Sequence, residues 1–110
     1  MSLADKRCVH GAGPLDQAAI DALLLEVPGW LAQDNQLVRS FEFKDYHQTI
    51  EFVNALAWMI HAQDHHPELT VRYRHCVVAY STHTAGNRIS ENDFICAAKA
   101  NAIYDQRASA

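Results

Sequence analysis

Clustered basic residues and long apolar runs are both missing from this sequence. Nine Lys and Arg, set against 13 Asp and Glu, are scattered along the chain and give a formal net charge of -4 at pH 7. Nucleic-acid binding needs clustered cations to hold phosphates, so we expect no direct contact with DNA or RNA. The N-terminus lacks the apolar core of a signal peptide, and no apolar run approaches the roughly 18 residues that span a bilayer. The sequence therefore predicts no membrane segment.

Cysteine is also scarce. Cys8, Cys76 and Cys96 are odd in number and contain no closely spaced pair. A disulfide framework or a zinc ribbon needs paired cysteines, so neither is expected. Free thiols suit a reducing compartment, and together with the missing targeting segment they predict a cytoplasmic protein.

The hydrophobic pattern predicts one α+β domain. Residues 1–14 are small and polar and are predicted to be a flexible N-terminal leader; residues 15–110 form the domain. Helical periodicity, β-rich runs and turn residues predict helices over 15–27, 45–65 and 91–106 and strands over 30–32, 37–43, 69–74 and 76–81. The order α-β-β-α-β-β-α favours a four-stranded, mainly antiparallel sheet with helices packed on one face. An exposed edge or face of such a sheet would be covered by forming a homodimer or homotetramer.

Histidines are concentrated near the end of the long helix. His61, His65 and His66 lie within six residues, and His83 follows the last predicted strand. Imidazole takes up and releases protons near neutral pH, which general acid-base catalysis requires. A histidine at a helix end can instead serve only the helix dipole, an alternative that stays open for His61.

Two further assignments bear on the site. The other histidines, His10, His47 and His75, are predicted to be at the surface or structural. A metal site at His61, His65 and His83 is disfavoured, because Ala62 stands where a zinc peptidase helix carries its catalytic Glu.

Two more residues have competing structural and functional interpretations. Ser90 to Asp93 has the spacing of a capping box, which explains Asp93 without catalysis, although Asp93 could also orient a histidine. Trp30 could pack in the core or stack on a flat heterocycle, and Tyr73 is predicted to point inward from its strand.

These residues form one pattern. Three residues separate His61 from His65-His66-Pro67, five separate Pro67 from Tyr73, nine lie between Tyr73 and His83, and nine lie between His83 and Asp93. The pattern resembles the signature of the pterin-4a-carbinolamine dehydratases, also called dimerisation cofactors of a homeodomain transcription factor. Further similarity lies in Pro28-Gly29-Trp30, in residues 41–46 and in residues 81–83.

The resemblance implies an enzyme and its chemistry. Members of this family form dimers or tetramers and convert 4a-hydroxytetrahydropterin to quinonoid dihydropterin and water, with no cofactor or metal. The substrate is made by aromatic amino acid hydroxylases, so such a hydroxylase is the expected pathway partner.

The resemblance also assigns roles to residues. By motif position, His65, His66 and His83 are catalytic, with His65 and His83 as acid and base and His66 mainly binding. His61, Trp30 and Pro67 are predicted to bind substrate. Since His61 stands where relatives often carry an acidic residue, it should raise the activity optimum less than Glu does. An alternative role is a protein-binding or assembly module that uses the long helix and has little catalysis.

Overall fold

The order of elements agrees with the prediction. A computed structural model describes residues 2–107. The elements are α1 (Gln17–Leu24), β1 (Leu31–Gln33), β2 (Gln36–Glu42), α2 (Tyr46–Gln63), β3 (Glu68–Val71), β4 (His75–Tyr80) and α3 (Glu91–Asp105), with 3-10 turns at Leu3–Asp5 and His83–Ala85.

The four strands form one sheet in the order β1-β2-β4-β3, and every pairing is antiparallel. Leu37 lies opposite Tyr80, and Phe41 lies opposite Cys76. These four side chains are fully buried and belong to the same core as the buried residues of α2 and α3. The predicted α+β fold, with helices on one face of an antiparallel sheet, is confirmed.

Local sequence explains where α2 begins and ends. The Asp45 side chain accepts a hydrogen bond from the Gln48 backbone N–H at 2.9 Å, which makes Asp45 the N-cap of the helix. The helix ends at Gln63, two residues earlier than predicted, where Asp64 takes a left-handed conformation with φ 50°. Pro67 disfavours helical geometry for the residue before it, so the chain must leave the helix ahead of His66. No helix within residues 2–107 is long and apolar enough to cross a membrane.

Strand β3 is shorter than predicted, and Tyr73 does not point into the core. Tyr73 lies in the turn after the strand, is 64% exposed, and stacks on Tyr46 with ring centroids 6.0 Å apart. The alternation of apolar residues ended at Val71 because the chain turns there to begin β4.

The N-terminal segment packs against α3 instead of lying apart from the domain. Leu3 is 4% exposed and is part of the core. Lys99 on α3 donates to the Ala4 carbonyl at 2.7 Å. The Val9 backbone N–H donates to Asn92 Oδ1, and Asn92 Nδ2 donates to the Val9 carbonyl. The boundary predicted at residue 14 has no counterpart in this packing, because α3 presents buried residues to both the sheet and the segment.

Candidate active site

The turn between α2 and β3 presents His65 and His66 next to each other. Asp64 takes a left-handed conformation at the end of α2, and Pro67 favours an extended form for His66 before it. His65 is half-buried and His66 is exposed. The two rings therefore occupy different environments although they are adjacent in sequence.

The Asp93 carboxylate forms a hydrogen bond with the His65 ring. The Asp93 Oδ1 atom lies 2.6 Å from His65 Nε2, and Asp93 is fully buried in the first turn of α3. A carboxylate can only accept a hydrogen bond, so Nε2 of His65 carries the hydrogen in this pair. The other ring nitrogen, Nδ1, has no hydrogen-bond partner within residues 2–107 and is the position at which His65 gains or loses a proton.

The second oxygen of Asp93 serves the helix cap. Asp93 Oδ2 accepts from the Ser90 backbone N–H at 2.8 Å and from Thr82 Oγ1 at 2.9 Å. Thr82 Oγ1 in turn lies 2.6 Å from Ser90 Oγ. The predicted capping box is present. The same carboxylate thus caps α3 and orients His65.

Burial and charge act on His65 in opposite directions. Burial disfavours its charged form, but the hydrogen bond and negative charge of Asp93, helped by Cys8, outweigh burial and raise the pKa of His65 above 6.5. The ring also stacks on Tyr80, with centroids 5.2 Å apart and planes 14° from parallel. Burial raises the pKa of Tyr80, so this neighbour stays neutral. His65 is therefore fixed in place and able to exchange protons near neutrality.

A cavity of about 550 Å³ opens over these residues, which is within the size range of small-molecule sites. Three predicted catalytic residues line it: His65, His66 and His83. His83 sits in the 3-10 turn after β4, is exposed, and has Nδ1 3.2 Å from Asn87 Oδ1. The remaining lining residues are Cys8, Val9, His10, Gly11, Gln63, Asp64, Ser81, Thr82, Thr84 and Asn92.

The predicted substrate-binding residues lie outside this lining. His61 is exposed in the last turn of α2, and Pro67 is partly buried in the turn before β3. Trp30 is 4% exposed in the core, where its Nε1 donates to Asn101 Oδ1 at 2.7 Å and its ring contacts that of Phe41 edge-on. Trp30 thus takes the core position, because its indole N–H finds a buried partner away from the cavity.

Sequence reasoning missed the N-terminal side of the cavity. Cys8, Val9, His10 and Gly11 form part of its wall, although the segment was predicted to be a leader without chemistry and His10 a surface or structural residue. No sequence signal could have identified them, since only the packing against Asn92 and α3 brings them there. Within residues 2–107, no group of three or more His, Cys, Asp or Glu is placed to hold a metal ion.

Known proteins are similar to this chain in sequence. The family profile described as pterin 4 alpha carbinolamine dehydratase matches residues 13–103. A Stenotrophomonas maltophilia K279a protein, provisionally named a pterin-4-alpha-carbinolamine dehydratase, is 51% identical over 109 residues, which cover 94% of this chain and 93% of that protein. A Xanthomonas euvesicatoria protein with the same provisional name is 55% identical over 94 residues, covering 84% and 79%.

A solved structure is similar as well. The crystal structure of a transcriptional coactivator/pterin dehydratase from Brucella melitensis superposes with a TM-score of 0.79 and 32% identity, covering 84% of this chain and 99% of that one. The profile match and these relatives span most of the chain and include the residues that surround the cavity from His65 to Asp93. The chain therefore belongs to the pterin-4a-carbinolamine dehydratase family.

Proposed function

We propose that this protein dehydrates 4a-hydroxytetrahydropterin to quinonoid dihydropterin by histidine acid-base catalysis. The observation that carries the proposal is the His65–Asp93 pair at the cavity, in which a buried carboxylate fixes one ring nitrogen and leaves the other free. Family membership supplies the substrate class, and the names of the relatives agree with it.

The reaction needs two proton transfers on a bound pterin. The hydroxyl on C4a must be protonated as its bond breaks, and N5 must lose a proton to form the new double bond. His65 suits the base role, since Asp93 stabilises the positive charge that forms when Nδ1 accepts the N5 proton. His83, an exposed residue of the cavity lining, would deliver the proton to the leaving hydroxyl, and His66 would bind the pterin.

This chemistry requires no bound cofactor, since both transfers use side chains already present. The product is the oxidised form of the pterin that aromatic amino acid hydroxylases use. The protein would thus supply quinonoid dihydropterin to a separate two-electron reduction, which regenerates the tetrahydropterin for such a hydroxylase.

The test is the rate of quinonoid dihydropterin formation from 4a-hydroxytetrahydropterin made in situ by an aromatic amino acid hydroxylase. Wild type should accelerate this step, His65→Ala and His83→Ala should each lose most of the acceleration, and their combination should lose all of it. His47→Ala is the matched control, because His47 is exposed on α2 and, within residues 2–107, its one ion pair is with Glu51 at 3.8 Å. A folded wild type that gives no acceleration would refute the proposal.

A second role concerns the outer face of α2. Trp58 is 81% exposed on this helix, which leaves a large apolar ring that a protein interface could cover. We propose that this face packs against a second copy of the chain to form a homodimer or homotetramer.

Light scattering over a range of concentrations tests the second role. Trp58→Lys should lower the particle mass of the assembly and leave dehydration intact, since Trp58 points into solvent and does not line the cavity. A wild-type monomer at all concentrations would contradict this role. If the protein binds a partner but does not accelerate dehydration, and His65→Ala binds that partner as well as wild type does, the protein is instead a binding module.

A further inference from the structure

The N-terminal segment completes the cavity from outside the region that defines the family. The family profile begins at residue 13, whereas Cys8 to Gly11 line the cavity. The segment is held at both ends. Leu3 lies in the core and Lys99 donates to the Ala4 carbonyl at 2.7 Å, while the Cys8 backbone N–H donates to Gln63 Oε1 at 2.9 Å and Val9 bonds to Asn92. One wall of the candidate active site is therefore a strap, residues 3–11, whose position depends on these contacts.

Two cysteines meet where the strap crosses α3. The Sγ atoms of Cys8 and Cys96 lie 3.5 Å apart, although the residues are 88 positions apart in sequence. A disulfide has an S–S bond of about 2.05 Å, so closure needs only a short approach of the two sulfurs. Cys8 faces the cavity and is half-buried, while Cys96 is fully buried on α3. An oxidant in the cavity can reach Cys8 first.

The surroundings give the two thiols different reactivity. The hydrogen bond from Cys96, together with the positive charges of His65 and Lys99, lowers the pKa of Cys8 against the opposing effects of burial and Asp93. The same contact and burial raise the pKa of Cys96. Cys8 is the thiolate that attacks, and Cys96 is the thiol that resolves the product.

We infer that Cys8 and Cys96 are a redox-active dithiol whose oxidation by a peroxide locks the strap onto α3 beside the candidate active site. The Cys8 thiolate attacks hydrogen peroxide; an S–O bond forms, the O–O bond breaks, and the released hydroxide takes a proton to become water. The Cys96 sulfur then attacks the sulfenic acid on Cys8. The S–S bond forms, the S–O bond breaks, and the hydroxyl leaves with the Cys96 proton as a second water. The two thiols supply both electrons that reduce the peroxide.

The chemistry can be tested without any assay of dehydration. The reduced full-length protein is treated with hydrogen peroxide, denatured, and its free thiols are counted while its intact mass is measured. We expect the count to fall from three to one, a mass loss of two hydrogens, and a peptide linking Cys8 to Cys96. Cys76→Ser is the matched control, because Cys76 is buried on β4, and it should still form the bond.

Other outcomes would overturn the inference. These are sulfinic or sulfonic acid on Cys8 without a cross-link, a disulfide between two chains, or oxidation of Cys76 as fast as that of Cys8. In Cys96→Ser, the sulfenic acid on Cys8 should persist long enough to be trapped by dimedone; failure to trap it would count against the assigned order of attack.

The effect on the cavity rests on the proposed function. A displacement of about 1 Å near reacting groups can cost up to about 10²-fold in rate, so we expect oxidation to slow dehydration about tenfold. Dithiothreitol should restore the rate, and the loss of rate in wild type should follow the fraction of molecules that carry the bond between Cys8 and Cys96. A disulfide that forms without any change in the dehydration rate would overturn the regulatory effect. A reduced protein that does not catalyse dehydration would refute the proposed function, but the thiol count and the mass would still test the disulfide.

Discussion

Replacing Asp93 with asparagine should reverse the tautomer of His65 while leaving the fold in place. In wild type, Asp93 Oδ2 accepts from the Ser90 N–H and from Thr82, and Oδ1 accepts from His65 Nε2. Asparagine has one acceptor oxygen and one donor NH2. Its oxygen must face Ser90, because an NH2 there would meet another N–H. The NH2 then points at His65 Nε2, which becomes the acceptor, and the ring proton moves to Nδ1.

The size of the effect follows from the two functions of the carboxylate. With Nδ1 already protonated, His65 cannot act as a base, and general acid-base groups contribute about 10²–10⁴-fold to rate. We expect kcat to fall by that factor. Hydrogen bonds to charged groups stabilise by about 1.5–3 kcal/mol and neutral ones by about 0.5–1.5 kcal/mol, so the loss of charge should cost about 1–2 kcal/mol of unfolding free energy. The variant should remain folded.

Imidazole ¹⁵N chemical shifts distinguish the two tautomers directly, and the in situ hydroxylase assay gives the rate. Asp64→Asn is the control for the tautomer, because Asp64 also lines the cavity but makes no hydrogen bond to His65, and asparagine tolerates its left-handed backbone. Retention of the Nε2–H tautomer in Asp93→Asn, or a rate equal to that of wild type, would refute the reasoning.

Three other perturbations have clear directions. Because the pKa of His65 is raised on folding, its stabilising contribution is complete below about pH 6.5 and lost as pH rises through the folded pKa; urea titrations should show this fall in wild type and not in His65→Gln. Gly29→Ala should destabilise by about 1–3 kcal/mol, because φ is 89° and a Cβ would lie 2.7 Å from Arg39 Nε. Thermal unfolding measures this, with Gly13→Ala, which meets nothing within 4 Å, as a nearly neutral control. His61→Glu should move the activity optimum upward only slightly, since water screens an exposed charge; an optimum that does not move would contradict it.

Strand β2 shows where sequence patterning succeeds and where it needs tertiary information. Its type and position were predicted, but the apolar pattern does not identify its buried side, because Arg39 lies between the buried Leu37 and Phe41. The structure explains the exception. The Arg39 guanidinium lies 4.3 Å from the centre of the Phe41 ring and bonds to Asn101 Oδ1 at 2.6 Å, so it can occupy a core-facing position. Asn101 is 62 residues away, beyond the range of local patterns.

Local sequence patterns also fail to predict what covers helix α3. A helix with one buried stripe is recognised by its period, but α3 is buried on more than one side, from Asn92 to Ala97 and again at Ala100 and Asn101. Its additional buried side receives the strap. Because strap and helix lie at opposite ends of the sequence, the polar composition of residues 1–14 predicted a free leader, and the cavity wall formed by Cys8 and His10 could not be predicted.

Asp93 shows why a structural explanation of a residue does not remove a functional one. The capping-box spacing correctly predicted that Asp93 would bind the Ser90 N–H, and on that basis its catalytic importance was discounted. A carboxylate has two oxygens, and the cap uses only Oδ2. The cap fixes the plane of the carboxylate, which aims Oδ1 at His65 from a site with no exposure to water. The structural role is therefore what makes the orienting role possible, and a motif that explains one oxygen of a buried carboxylate should prompt a search for what the other one holds.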